Sequence, residues 1–218
     1  MYPEYTGYGK PLKDQTAYGF LTRGCPRGCS FCHVAPKEGQ CSHKVANLSE
    51  FWNGQKNIVL CDPNILACPD WKDLLQQLID SKARVDFNQG LDIRIMTQEK
   101  AEMLSHVRIK YIHFAWDRYE DKDLIEPKFK IFRQISKVHS HNLQVYVLCG
   151  DHERYVRDED LYRINWLRKN GYAPYVMLYD KEHLPKGCDL RDLQRWVNNR
   201  FIFWKCDSFD EYKARKEN

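Results

Sequence analysis

The sequence has no apolar run approaching the ~18 residues that a membrane-spanning helix needs, so no membrane role is expected. Eleven glycines and nine prolines in 218 residues are too few for a collagenous or low-complexity chain. Residues 1–6, Met-Tyr-Pro-Glu-Tyr-Thr, have neither the basic start nor the apolar stretch of a secretory leader, and the expected location is cytoplasmic, in a reducing compartment. There is no glycine-rich nucleotide loop, no His-Glu-x-x-His zinc motif, no cobalamin-domain sequence, no internal repeat and no long charge block. Neither sign of charge dominates. The formal net charge of +4 permits an anionic partner without demanding one.

Cysteine, by contrast, is plentiful. Nine are present, an odd number in a compartment that disfavours disulfides. Cys25, Cys29 and Cys32 fall within eight residues, whereas Cys41, Cys61, Cys68, Cys149, Cys188 and Cys206 are spread out. Clustered cytosolic cysteines point to metal or redox chemistry rather than to a disulfide framework.

Length favours one domain, 1–218, with a core over about 17–200 and short extensions at 1–16 and 201–218. Strand-like apolar runs at 18–22, 58–61, 85–88, 111–115, 143–148 and 175–179 alternate with amphipathic helical stretches. Several runs are continuously apolar, as strands buried on both faces should be. Asp70 and Thr97 are the expected N-caps of two helices, and Asn47 with Glu50 marks a short extra one. Phe129, Phe132, Ile135 and Val138 form the stripe of another helix; Leu161, Ile164 and Leu167 form the next, with Gly171 placed to end it. Leu190, Leu193, Trp196 and Val197 mark the last. The polar end 213–218 reads as frayed.

This alternation predicts an α/β fold with a parallel sheet and helices outside, either an open doubly wound sheet or a partial barrel. In both, chemistry belongs at the carboxyl ends of the strands. The cysteine cluster, Asp62 and Asn64, Gln89 with Asp92 and Arg94, Trp116 and Asp117, Cys149 with Asp151, and Asp180 all follow strand-like runs there.

Residues 20–33 read Phe-Leu-Thr-Arg-Gly-Cys-Pro-Arg-Gly-Cys-Ser-Phe-Cys-His, a C-x₃-C-x₂-C spacing. Three thiolates this close can hold three irons of a four-iron cluster and leave the fourth without a protein ligand. Gly24 and Gly28 let such a loop curl. At these residues the chain resembles the radical S-adenosylmethionine (SAM) superfamily, closely in the motif and more loosely in the six-unit architecture over 17–200. The resemblance implies a partial (β/α)₆ barrel and a [4Fe-4S] cluster on Cys25, Cys29 and Cys32. It also implies SAM on the open iron, a 5′-deoxyadenosyl radical that abstracts hydrogen from a substrate, and an external electron donor of flavodoxin or ferredoxin type. It places Phe31 near the adenine. It further implies an aspartate such as Asp117 on the ribose hydroxyls, and the backbone around Leu148 along the adenine.

Other readings of the same residues stand beside this one. Cys25, Cys29, Cys32 and Cys41 (or His33) could form a structural zinc site, but only one C-x₂-C pair is present. Cys29 to His33 also matches a haem-attachment pattern, which normally needs export. A thioredoxin-like pair leaves Cys25 unexplained, and a loop bearing Arg23, Pro26, Arg27 and Ser30 is no core segment.

The family often carries a Gly-Gly-Glu-like segment after the second strand, where this chain has Leu-Cys-Asp-Pro-Asn at 60–64. Asp62 or Asn64 could accept a hydrogen bond from the SAM amino group, or the segment is simply a turn. Gln89 could bind cofactor or substrate. Arg94 could pair with a carboxylate, of SAM or of Asp92. Asp117 could equally be a cap or a surface charge. Met177 could close an adenine pocket, though a Met there is usually core.

Cys41, Cys61 and Cys68 are candidates for a second, auxiliary cluster, against the habit of free Cys to be buried. The basic and aromatic segment 195–205 could stack on bases and touch phosphates, while Trp196, Phe201 and Phe203 read better as core. The resulting expectation is a radical SAM enzyme whose substrate could be a nucleic acid or a peptide. The alternative is a non-catalytic, zinc- or cluster-stabilised nucleic-acid-binding module.

Overall fold

The structure is a computed structural model that describes residues 15–151 and 153–217. Most of the expected 1–16 extension lies outside the described residues. The elements run β1 (Thr16–Gly19), β2 (Thr22–Arg23), α1 (Val34–Glu38), β3 (His43–Lys44), β4 (Asn57–Leu60), α2 (Trp71–Ser81), β5 (Arg84–Leu91) and α3 (Gln98–His106). They continue with β6 (Ile109–Ala115), α4 (Lys122–Ile135), β7 (Leu143–Cys149), α5 (Asp158–Lys169), β8 (Ala173–Leu178), α6 (Asp189–Asn198), α7 (Arg200–Lys205) and α8 (Phe209–Glu217).

The fold is α/β. Six strands form one sheet in the order β1-β4-β5-β6-β7-β8, and every neighbouring pair is parallel. All six expected strands are present within two residues of their predicted starts. The order follows the chain without the reversal that defines a doubly wound sheet. Among the described residues β1 and β8 do not pair with each other, so the sheet is open at that seam.

One expectation fails in an informative way. The strands are buried on one face, not on both. Ile58, Leu60, Val85, Phe87, Ile112, Phe114, Val145 and Val176 point into the helix layer and are almost fully buried. The alternate residues are more open: Tyr18 is 52% exposed, Tyr111 38% and Met177 46%. The runs read as continuously apolar because tyrosine, histidine and methionine occupy the open side.

The covered face is packed mainly by aromatic rings. Phe114 meets Phe132 at 5.0 Å and Phe129 at 5.7 Å, both edge to face. The Tyr172 hydroxyl donates to the Phe129 carbonyl oxygen at 2.8 Å. Ile135 is only partly buried at the last residue of α4, and Val138 lies beyond it. Thr97 caps α3, its Oγ1 accepting from the Lys100 amide. Asp70 does not cap α2. Its own backbone is already near-helical (φ −83°, ψ 10°), and its carboxylate accepts from Cys68 Sγ instead. Gly171, at φ +77°, follows α5 in the left-handed conformation that ends helices.

The C-terminal extension also departs from expectation. Trp196 and Phe203 are core, but Phe201 is 84% exposed. The polar end is not frayed where described: α8 runs to Glu217, Phe209 and Tyr212 are buried, and Lys216 Nζ meets Asp192 at 2.7 Å.

The largest polar element of the core is Arg163 on α5. It is fully buried and makes a 2.6 Å ion pair with equally buried Asp160. Its remaining N–H groups donate to the carbonyls of Trp116 (2.8 Å), Asp117 (2.6 Å) and Leu148 (3.0 Å). One guanidinium thus gathers the carboxyl ends of β6 and β7. Arg163→Met leaves buried Asp160 with only Arg157 as a cationic partner, at 3.4 Å, and three carbonyls without their donor. It should cost about 3–5 kcal/mol in urea unfolding, and a loss under about 1 kcal/mol would show that the network does not hold the strand ends.

Candidate cofactor site

The cysteine loop is an excursion closed at its root. As the chain leaves β1, Leu21 N donates to both Asp62 oxygens (3.1 and 3.2 Å), and Thr22 donates its amide (2.6 Å) and hydroxyl (2.7 Å) to Asp62 Oδ1. Asp62 follows β4, so it joins the ends of two adjacent parallel strands. The loop returns through β3, which pairs antiparallel with β2 by Thr22↔Lys44 and Arg23↔His43. A second latch is Glu38 at the end of α1, which accepts from Arg23 Nη1 (2.7 Å) and Gly24 N (3.1 Å).

Inside that frame Gly24 has φ +79°, and a Cβ there would lie 2.1 Å from the Cys41 carbonyl oxygen. Only glycine fits that close approach. Cys32 N donates to the Cys29 carbonyl at 3.0 Å, forming the turn between the last two cysteines. Cys32 Sγ accepts from Val34 N, the first amide of α1, at 3.5 Å. All three cysteines are partly exposed. Burial pushes the Cys29 thiol up. Arg94 pulls it down, while Asp117, Cys32 and Cys25 add to the rise, so five groups from three strand ends share one electrostatic environment. Among the described residues, no three His, Cys, Asp or Glu side chains already converge on a point that would hold a metal ion.

The remaining candidates divide by what they touch. The Asp62 carboxylate is committed to the loop root. Burial pushes its carboxyl up to about 6, with the Thr22 and Leu21 donors pulling the other way. Asn64 is different. It is buried, its Nδ2 donates to Cys25 Sγ at 3.5 Å, and its Oδ1 is buried with no partner. A buried acceptor without a donor is costly, so this oxygen fits a ligand that brings an N–H to the cysteine loop.

Asp92 accepts from Arg94 Nε (2.7 Å) and from Arg27 Nε (2.7 Å), tying the cysteine loop to β5. Burial raises the Asp92 carboxyl, but its arginine partners outweigh burial and hold it below the ordinary range. Arg94 is therefore paired with Asp92, and with Asp121 at 3.4 Å.

Asp117 accepts a hydrogen bond from the Leu148 backbone, so these two candidates meet. Burial pushes its carboxyl up to about 6, against Arg163, Arg94 and that amide. Gln89 is exposed in an irregularity of β5 beside Gly90, at φ +98°. Phe31 is half-buried in the loop.

The auxiliary candidates scatter in environment. Cys41 is exposed, Cys61 is half-buried beside Asp62, and Cys68 is buried with its thiol on Asp70. Reasoning from sequence missed Arg163 and Arg27. The available signal for the first was an Asp160-x-x-Arg163 pair on the apolar stripe of α5, where a charge needs a partner.

Two outcomes follow. Asp62→Ala strands two buried amides at the loop root. It should destabilise by about 2 kcal/mol and lower Tm by roughly 4–8 °C in calorimetry. Asp117 is protonated more easily folded than unfolded, so its contribution is fully present below the ordinary value of 3.8 and is lost as pH rises through about 6. Asp117→Asn, which keeps an acceptor for Leu148, should therefore gain on the wild type by about 1–2 kcal/mol between about pH 4 and about pH 7 in urea midpoints. A parallel pH course for the two proteins would refute the assignment.

In comparison with known proteins, no family model and no curated protein matches this chain.

Proposed function

We propose that this chain is a radical SAM enzyme on a partial (β/α)₆ barrel. The observation that carries the reading is the pairing of a three-cysteine loop with an orphaned acceptor. The loop leaves the first strand of a six-strand parallel sheet that never reverses its order, and Asn64 Oδ1 sits buried and unpartnered next to Cys25. The unreversed order supports a barrel-like winding, because each crossover steps the same way.

A [4Fe-4S] cluster with SAM supplies, when bound, reductive cleavage to methionine and a 5′-deoxyadenosyl radical. The chain's own part is binding and orientation. The thiolates of Cys25, Cys29 and Cys32 would hold three irons of the cluster. Asn64 Oδ1 would accept from the methionine amino group, in place of the Gly-Gly-Glu-like segment that this sequence lacks. Asp62 keeps the loop root fixed. Asp117, which accepts from the Leu148 amide, would bind the ribose hydroxyls. Phe31 and the backbone at Leu148 would bind the adenine. An electron donor of flavodoxin or ferredoxin type and an otherwise polar, cytoplasmic setting complete the reading. Among the described residues, no helix is long and apolar enough to cross a membrane.

Anaerobic reconstitution tests this. The protein should take up about four irons per chain and, with dithionite, release 5′-deoxyadenosine from SAM. Cys29→Ala should abolish the iron chromophore. Asn64→Ala should keep the chromophore and weaken SAM binding about tenfold, since a single hydrogen bond to a charged group is at stake. Uptake of one zinc per chain with no nucleoside released would overturn the enzyme reading in favour of a zinc-stabilised binding module.

A further inference from the structure

The open face of the sheet carries chemistry that the cofactor site does not use. Arg84, Asp86 and Asn88 alternate along β5 and share that face. Asp86 Oδ1 is buried and has no hydrogen-bond partner. Its nearest cationic candidate, His113 Nδ1, is 3.9 Å away, too far for a hydrogen bond. That nitrogen lies 2.9 Å from the Phe87 carbonyl, which can only accept, so Nδ1 carries a hydrogen and, in the neutral ring, Nε2 is the acceptor.

Flat rings continue the face beside these two acceptors. His113 stacks on Tyr146 with centroids 5.3 Å apart and planes 8° from parallel, and Tyr175 meets Tyr146 edge-on at 5.9 Å. Two acceptors against a stack of rings ask for a planar ligand that brings N–H donors. A guanine edge offers two adjacent donors, N1–H and N2–H₂.

An arginine side chain also offers paired donors, but the charge around the face opposes it. Lys110 Nζ lies 5.5 Å over the Tyr111 ring, and its charge reaches Asp86. Arg84 is exposed two residues before Asp86 on the same face, about 7 Å along the strand. It also lines a cavity of about 530 Å³ with Lys56, Lys82 and Arg108, and no carboxylate lines that cavity. These cations repel a guanidinium and attract a phosphate.

We propose that the open sheet face binds a guanine mononucleotide as the enzyme's substrate, its base edge on Asp86 and His113, its ring on the Tyr146 stack and its phosphate toward Arg84 and Lys110. The substrate role rests on the radical SAM reading; the binding does not.

Titration calorimetry of the anaerobically reconstituted protein with GMP, and of the Cys25→Ser, Cys29→Ser, Cys32→Ser triple variant, separates the two. GMP should bind both. Asp86→Asn and Tyr146→Leu should each weaken it about tenfold or more with circular dichroism unchanged. Arg84→Gln should weaken GMP but not guanosine. The proposal fails if GMP does not bind, if AMP binds equally well, or if Asp86→Asn and Tyr146→Leu both leave affinity intact. Tighter binding of a UGU trinucleotide than of GMP overturns it in favour of a nucleic-acid strand, and tighter binding of a Gly-Arg-Gly peptide overturns it in favour of a peptide. Failure of GMP to bind while 5′-deoxyadenosine still forms sinks this inference alone; GMP binding without any SAM cleavage sinks the radical reading alone.

Discussion

The candidate site depends first on one buried carboxylate. Asp62 accepts from two amides and a hydroxyl at the point where the chain leaves β1 for the cysteine loop. Those amides lie beyond the end of the strand ladder and would otherwise be buried without acceptors. The carboxylate also sits two residues past β4, so the same bonds fix the carboxyl ends of two neighbouring strands to each other. Burial opposes its charge and the donors favour it, and the opposition leaves its carboxyl near 6. The loop can then be irregular, glycine-containing and partly exposed, because its root is not.

A second constraint works from the opposite side of the sheet. Arg163 reaches through the helix layer to the carbonyls that end β6 and β7, and Asp160 balances its charge. The result places Asp117 and Leu148 in contact and surrounds the cysteines with opposed charges: Arg94 pulls the Cys29 thiol down while Asp117 pushes it up. Arg27, Asp92 and Arg94 then tie the cysteine loop down over β5. Three strand ends are thus linked by ionic hydrogen bonds, each partly or fully shielded from water, where such bonds are stronger than at an exposed surface.

Much of this frame was legible in the sequence. The strand runs, the Thr97 cap, the Gly171 stop and the placement of Cys25, Cys29 and Cys32 after the first strand all rest on local chemistry, which short windows report well. What the sequence hid depends on contacts between distant residues. Asp62 and Asn64 looked alike as acceptors, and only the fold shows that one is occupied by Leu21 and Thr22 while the other keeps a bare oxygen. Asp70 stands at a cap position, but its backbone conformation turns its carboxylate to Cys68. Arg163 reads as an outlier on an apolar stripe until its carbonyl partners are seen. Phe201 and Phe203 are two residues apart in one short helix, and only packing against Trp196 decides that the second is core.

The open face of the sheet is where fold and function press on each other hardest. Parallel sheets are ordinarily covered on both faces, because their strands are apolar on both. Here one face lies under helices, and the other presents Tyr18, Tyr111 and Met177 to solvent at 38–52% exposure. Evenly spread exposed rings would need no explanation. The register puts Tyr18 and Tyr111 level with Asp86 on one face of the sheet, and the buried Asp86 carboxylate oxygen there has no donor. A sheet that served stability alone would fill that side with valine and leucine and leave no acceptor unsatisfied. Polar-tipped rings and an orphaned oxygen in the same place are what a surface needs if its missing layer is to be a ligand.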